Sequence, residues 1–76
     1  MIKERIFNTI STVLDTPIAE INENSSSDNV TNWDSIGHLN LILALEEEFN
    51  ISIPDDMVGN LVNYKLIEYI VNEQTK

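Results

Sequence analysis

Residues Asn32–Phe49 read NWDSIGHLNLILALEEEF, and how this stretch is placed decides the fold. The whole chain has a formal charge of −9, yet Ser35 to Leu45 holds no Asp, Glu, Lys or Arg. Its periodicity predicts a helix from Ser35 to Phe49. At roughly 100° per residue, Leu41, Ile42, Leu45 and Phe49 fall along one side, a core stripe. Ile36, Leu39 and Leu43 form a second stripe at i, i+3 and i+7 on nearly the opposite side, and Glu47 continues it. A helix that is apolar all round is normally buried on every side. A chain of 76 residues has little else with which to cover both faces. The second stripe, beside Glu46 and Glu47, is therefore expected to be a docking surface, the alternative being a central helix in a tight bundle.

The flanks of this helix carry start and stop signals. Asp34 or Ser35 suits the N-cap, where a short oxygen-bearing side chain accepts from the free N–H groups of the first turn. Asn50 suits the terminator, and Pro54 in ISIPDD prevents continuation. DDMVGN, Asp55 to Asn60, allows one short helical turn with acids at its start, which the helix dipole favours. A last helix is expected from about Asn63 to Asn72, with Leu66, Ile67, Tyr69 and Ile70 as its apolar set.

At the other end, Ile2, Ile6, Ile10, Val13 and Leu14 recur at spacings of three and four, an amphipathic helix with Lys3, Glu4 and Arg5 on its other side. Pro17 closes it, because the residue before a proline is pushed out of the helical region. Between the two helices, Asp15 to Asp34 is rich in turn formers such as NENSSSDN. A connection this long is functional or disordered in so small a domain. Ile18, Ile21, Val30 and Trp33 are expected to pin it to the core. No strand of useful length is visible. The expectation is a single all-α domain over 1–76, with three main helices, one short helix and a long loop between the first two.

Composition excludes several chemistries. There is no Cys, so disulfides, thiolate metal sites and cysteine nucleophiles are out. One His cannot build an imidazole-rich metal site, and no metal ligands are assigned. Thirteen acidic against four basic residues argue against nucleic acid and anionic membranes and favour partners with basic surfaces. MIKERIFNTI lacks the apolar region of a signal peptide. The longest apolar run, Leu41 to Leu45, is far short of the roughly 20 residues that span a bilayer. A cytoplasmic monomer is expected.

Asp34, Ser35 and His38 invite a hydrolase reading, with Ser35 as nucleophile, His38 as base and Asp34 as orienter. Asp34 directly precedes the Ser and is poorly placed to orient the far ring nitrogen of His38. No Gly-rich turn supplies an oxyanion donor, and the chain lacks bulk for a substrate cleft. His38 reads better as a partly buried first-turn residue, and no catalytic residue is assigned. Ser35 fits another use. A hydroxyl at a helix N-terminus beside a loop is accessible to another enzyme, and a phosphodiester there sits where free N–H groups favour an anion. Such a serine needs no base of its own.

These residues carry a resemblance. DSIGHLNLILALEEEFNISIPDD is similar to the second-helix region of acyl carrier proteins: Asp-Ser-Leu or Asp-Ser-Ile, an apolar helix, Glu-Glu-x-Phe and an Ile-Pro turn. LIEYI, Leu66 to Ile70, resembles their closing helix, and the order of elements agrees over essentially the whole chain. The resemblance implies a four-helix bundle in which Ser35 carries 4′-phosphopantetheine, added from coenzyme A by a phosphopantetheinyl transferase that recognises Asp34. It implies loading by an acyl ligase or acyltransferase and docking through Ile36, Leu39, Asn40, Leu43, Glu46 and Glu47 on acyl-using enzymes with basic surfaces. It further implies that the core shelters part of an acyl chain. The alternative use of the same fold is an unmodified acidic protein-interaction module. Members of the fatty-acid-synthesis type usually have acids two and five residues after the Ser, where this chain has Gly37 and Asn40. Trp33 stands where a small or aliphatic residue is common. These departures point to a specialised pathway with an acyl, hydroxyacyl or aminoacyl cargo.

Overall fold

The computed structural model describes residues 2–75. Four α-helices follow one another: α1 over Ile2–Val13, α2 over Ser35–Phe49, α3 over Asp55–Val58 and α4 over Tyr64–Gln74. A single 3-10 turn, Ile18–Glu20, lies in the long connection between α1 and α2.

In α1 the fully covered positions are Ile6 and Ile10, continued by Leu14 just beyond the helix, all four residues apart. Ile2 and Val13 pack against the edge of the same cluster. The helix stops earlier than Pro17 requires. Asp15 adopts a left-handed conformation (φ 49°), and the Ser11 hydroxyl donates to the Thr16 carbonyl at 2.6 Å. Asp tolerates that conformation better than most side chains, which makes it a natural stop. Arg5 fastens α1 to the end of α2: its guanidinium donates to the Glu48 carboxylate (2.9 Å) and carbonyl (2.8 Å) and lies 4.4 Å above the Phe49 ring centre.

The connection is pinned as its apolar residues suggest, with one exception. Ile21, Val30 and Trp33 are buried, whereas Ile18 is half exposed, because the 3-10 turn carries it on its outer side. The polar stretch satisfies itself: the Asn22 carboxamide oxygen accepts from Asn24 N, and that of Asn29 accepts from Ser26 N. It is also tied to the start of α4. Ser27 N donates to the Val62 carbonyl and Tyr64 N to the Ser25 carbonyl, both at 2.9 Å, around an isolated antiparallel bridge between Ser26 and Asn63. That bridge is the one extended pairing among the described residues.

Helix α2 buries Leu41, Ile42, Leu45 and Phe49, as its periodicity requires. Asn50 ends it in a left-handed conformation (φ 52°, ψ 51°). Helix α4 is capped by Asn63, whose side chain accepts from Leu66 N at 2.9 Å. Its core face differs from the expected set. Tyr64, Ile67, Ile70 and Val71 are buried, whereas Leu66 and Tyr69 face outward. Both stripes contain Ile70, and helical spacing alone allows either; burial of Tyr64 at the first position selects the one that runs 64–67–71.

Candidate functional site

Ser35 is the first residue of α2 and is exposed. Asp34 holds the N-cap in extended conformation, and its carboxylate accepts from Gly37 N at 2.8 Å. That takes one free N–H of the first turn and leaves the end of a 15-residue helix open beside the Ser35 hydroxyl.

His38, one turn further on, faces away from Ser35 chemically. Its Nδ1 accepts from the Trp33 indole N–H at 3.0 Å, and its Nε2 lies 2.6 Å from the Val58 carbonyl. An indole N–H needs an acceptor and a carbonyl needs a donor, so the ring carries its hydrogen on Nε2. Both nitrogens are occupied, and neither serves the Ser35 hydroxyl. With Asp34 committed to the cap as well, the three residues do not form a catalytic relay.

The first turn of α2 is seated closely on the loop below it. A Cβ at Gly37 would lie 2.4 Å from the Asn32 carbonyl oxygen and 3.0 Å from Leu14 Cδ2. The Asn32 side chain in turn donates to the Leu14 carbonyl at 2.8 Å. A groove of about 310 Å³ opens beside Ser35, lined by Ser27, Trp33, Asp34, His38 and Val62.

Along α2, the second apolar stripe is on the outside. Ile36 is 73% exposed, Leu39 56% and Leu43 64%. The tight-bundle alternative therefore does not hold. Asn40 and Glu47 are exposed beside the stripe. Glu46 is only half exposed, and its carboxylate accepts from Ile53 N at 2.7 Å, so it also braces the turn that follows α2. Glu48 is engaged by Arg5. Of the three consecutive acids, Glu47 is the one with no such tie among the described residues.

Sequence reasoning placed His38 in the first turn, partly buried, but did not foresee the indole and carbonyl that it joins. It also missed the Gly37 contact and the contribution of Ser27 and Val62. Only the folded chain brings 27, 33 and 62 together. Among the described residues, no cluster of three His, Cys, Asp or Glu could hold a metal, and no helix is long and apolar enough to cross a membrane.

No protein-family model matches the chain. Curated relatives do. The acyl carrier protein of Clostridium acetobutylicum is 37% identical, covering 84% of this chain and 91% of the relative. That of Buchnera aphidicola subsp. Schizaphis graminum is 34% identical, covering 99% and 96%. The described helices form a small bundle, with Ser35 exposed at the head of the second long one. The chain belongs to the acyl carrier protein family, and its fold is the helical bundle of that family.

Proposed function

We propose that Ser35 is the attachment point of 4′-phosphopantetheine and that the protein carries acyl groups between enzymes. The observation that carries this reading is the state of Ser35: exposed, at the open N-terminus of α2, with Asp34 and His38 both engaged elsewhere. The residues fit the group. A phosphodiester on the Ser35 oxygen meets unpaired N–H groups and the positive end of the helix dipole. In the priming step, the Ser35 oxygen bonds to the phosphorus of coenzyme A that bears pantetheine, and the 3′-phosphorylated adenylate leaves. The transferase takes the hydroxyl proton. When bound, the group supplies a terminal thiol on which acyl, hydroxyacyl or aminoacyl cargo is held as a thioester.

The rest of the chain then presents that cargo. Ile36, Leu39 and Leu43, with Asn40, Glu46 and Glu47, form the face offered to the transferase, to an acyl ligase or acyltransferase, and to downstream enzymes with basic, apolar-lined surfaces. Asp34 serves both as helix cap and as a feature read by the transferase. Coenzyme A and these enzymes place the work in the cytoplasm. The departures that suggested a specialised pathway now carry unequal weight. Gly37 and Trp33 have packing reasons, so the suggestion rests on Asn40, an exposed position without an acid.

Coexpression with a promiscuous phosphopantetheinyl transferase tests the reading. Intact mass should rise by one phosphopantetheine, and Ser35→Ala should abolish the gain. Unmodified protein with several such transferases overturns it and leaves the interaction-module alternative.

A further inference from the structure

We propose that His38 latches the seam between α2 and α3 and keeps a group tethered at Ser35 out of the helical core, so that the protein favours short or polar acyl cargo over long alkyl chains. This rests on the carrier reading above and deepens it to the class of cargo.

His38 is one turn along α2 from Ser35, and the two side chains line the same groove. Because the imidazole lines this groove and also reaches across to α3, it is the group set against a chain that turns from Ser35 into the interior. The ring closes that route by reaching the carbonyl of Val58, the last residue of α3, at 2.6 Å. Its other nitrogen is held by the indole of Trp33, itself only 3% exposed. Swinging the ring aside would leave a buried indole N–H without its partner and leave the Val58 carbonyl with the longer bond from Leu61 N, at 3.3 Å. In the next turn of α2, Leu41 and Ile42 are both buried. Entry of an alkyl chain therefore requires breaking two hydrogen bonds and displacing packed side chains.

The groove outside the latch has a different character. Ser27, Ser35, Asp34 and His38 share it with Val62 and Trp33, and more of its wall is apolar than polar. A groove of about 310 Å³ has room for a short acyl group, and the polar side chains in its wall are at hand for hydroxyl or amide functions. It offers a long alkyl chain little shelter from water.

A promiscuous transferase working from acetyl- or octanoyl-coenzyme A installs either cargo directly on Ser35. Thioester cleavage by hydroxylamine at neutral pH then reports shelter. In the wild-type protein, the two forms should be cleaved at rates within about twofold of each other, and their melting temperatures should agree. In His38→Ala the octanoyl form should be cleaved about fivefold more slowly than the acetyl form, a change of the order of 1 kcal/mol, and should melt higher. Protection of the octanoyl form in the wild type overturns the latch, with or without a variant. So does equal cleavage of both forms in His38→Ala. His38→Thr takes its place if circular dichroism shows His38→Ala unfolded. Because the chain has no Cys, Ser35→Cys alkylated with N-methyl- or N-octyl-iodoacetamide gives the same comparison without priming. A larger rise in melting temperature for the octyl adduct, seen only when His38→Ala is added, supports the latch; the same rise with His38 present overturns it. Failure of the transferase to modify Ser35 defeats the carrier reading and leaves this series to decide the latch.

Discussion

The backbone of Asn32 approaches Gly37 so closely that a Cβ there would stand 2.4 Å from the Asn32 carbonyl oxygen. Glycine at this point of α2 is thus imposed by packing. A glycine inside a helix ordinarily costs about 1 kcal/mol relative to alanine, so Gly37→Ala on an open helix would stabilise. Here the sign should reverse. Gly37→Ala is expected to lower stability by about 1–3 kcal/mol, because the obstructing atom is backbone and the loop must move. Gly37→Asp should do the same and should not restore a useful acid. Urea unfolding of the two variants checks this, and a Gly37→Ala protein more stable than the parent contradicts it.

Leu39 and Leu43 stand on the open face of α2, and Leu45 is fully buried on the opposite one. Leu39→Glu and Leu43→Glu should change stability by no more than about 0.5 kcal/mol. Leu45→Ala should cost about 2–5 kcal/mol. The exposed-face variants should instead slow priming and acyl loading by partner enzymes. Unfolding of Leu39→Glu under conditions where the parent is folded would return that stripe to the core.

Asp34 has two assignments that substitution separates. Asn also accepts a hydrogen bond at an N-cap, so Asp34→Asn should keep most of the stability, whereas Asp34→Ala should lose about 1 kcal/mol. If the transferase reads the carboxylate, modification of Ser35 should slow in both variants, which intact-mass time courses will show. A normal rate in Asp34→Asn assigns the residue to capping alone.

Tyr64 links stability to high pH. Its ring is fully buried against Phe7, with centroids 4.8 Å apart, and its hydroxyl donates to the Glu68 carboxylate at 2.9 Å. Burial first, and then the bond to Glu68, push the phenol above the ordinary tyrosine range. The folded state therefore holds this proton more tightly than the unfolded chain, whose tyrosines ionise near pH ~10. The contribution is fully present below that value and is lost progressively as pH rises above it. The urea midpoint of the wild type should fall more steeply above pH ~10 than that of Tyr64→Phe, which has no proton to lose at this position.

Much of this architecture could be read from spacing alone, and the exceptions have a common cause. Ile6 and Ile10, the Leu41–Leu45–Phe49 stripe and the exposed Ile36–Leu39–Leu43 stripe follow from local periodicity, and residue type narrows the cap of α2 to Asp34 or Ser35, of which the fold uses Asp34. Ile18 reads as inward because nothing in its neighbours reveals the outward side of a single 3-10 turn. Leu66 and Tyr69 read as core because two stripes of α4 share Ile70, and the choice between them is made by packing partners elsewhere. The site divides the same way. The positions of Ser35 and Asp34 at the start of α2 are legible because they depend only on the capping signal at that helix end. The bonds of His38 and the crowding at Gly37 depend on Val58, Asn32 and Leu14, whose approach no local pattern announces.

Trp33 is the only tryptophan in the chain, two residues from Ser35 and hydrogen-bonded through its indole N–H. Its fluorescence therefore comes from a single, nearly dry ring at the mouth of the groove. Any event that disturbs the imidazole beside it must alter the polarity that ring senses and so shift its emission. The molecule thus carries its own optical gauge of the Trp33–His38 contact, readable in the isolated protein without a label.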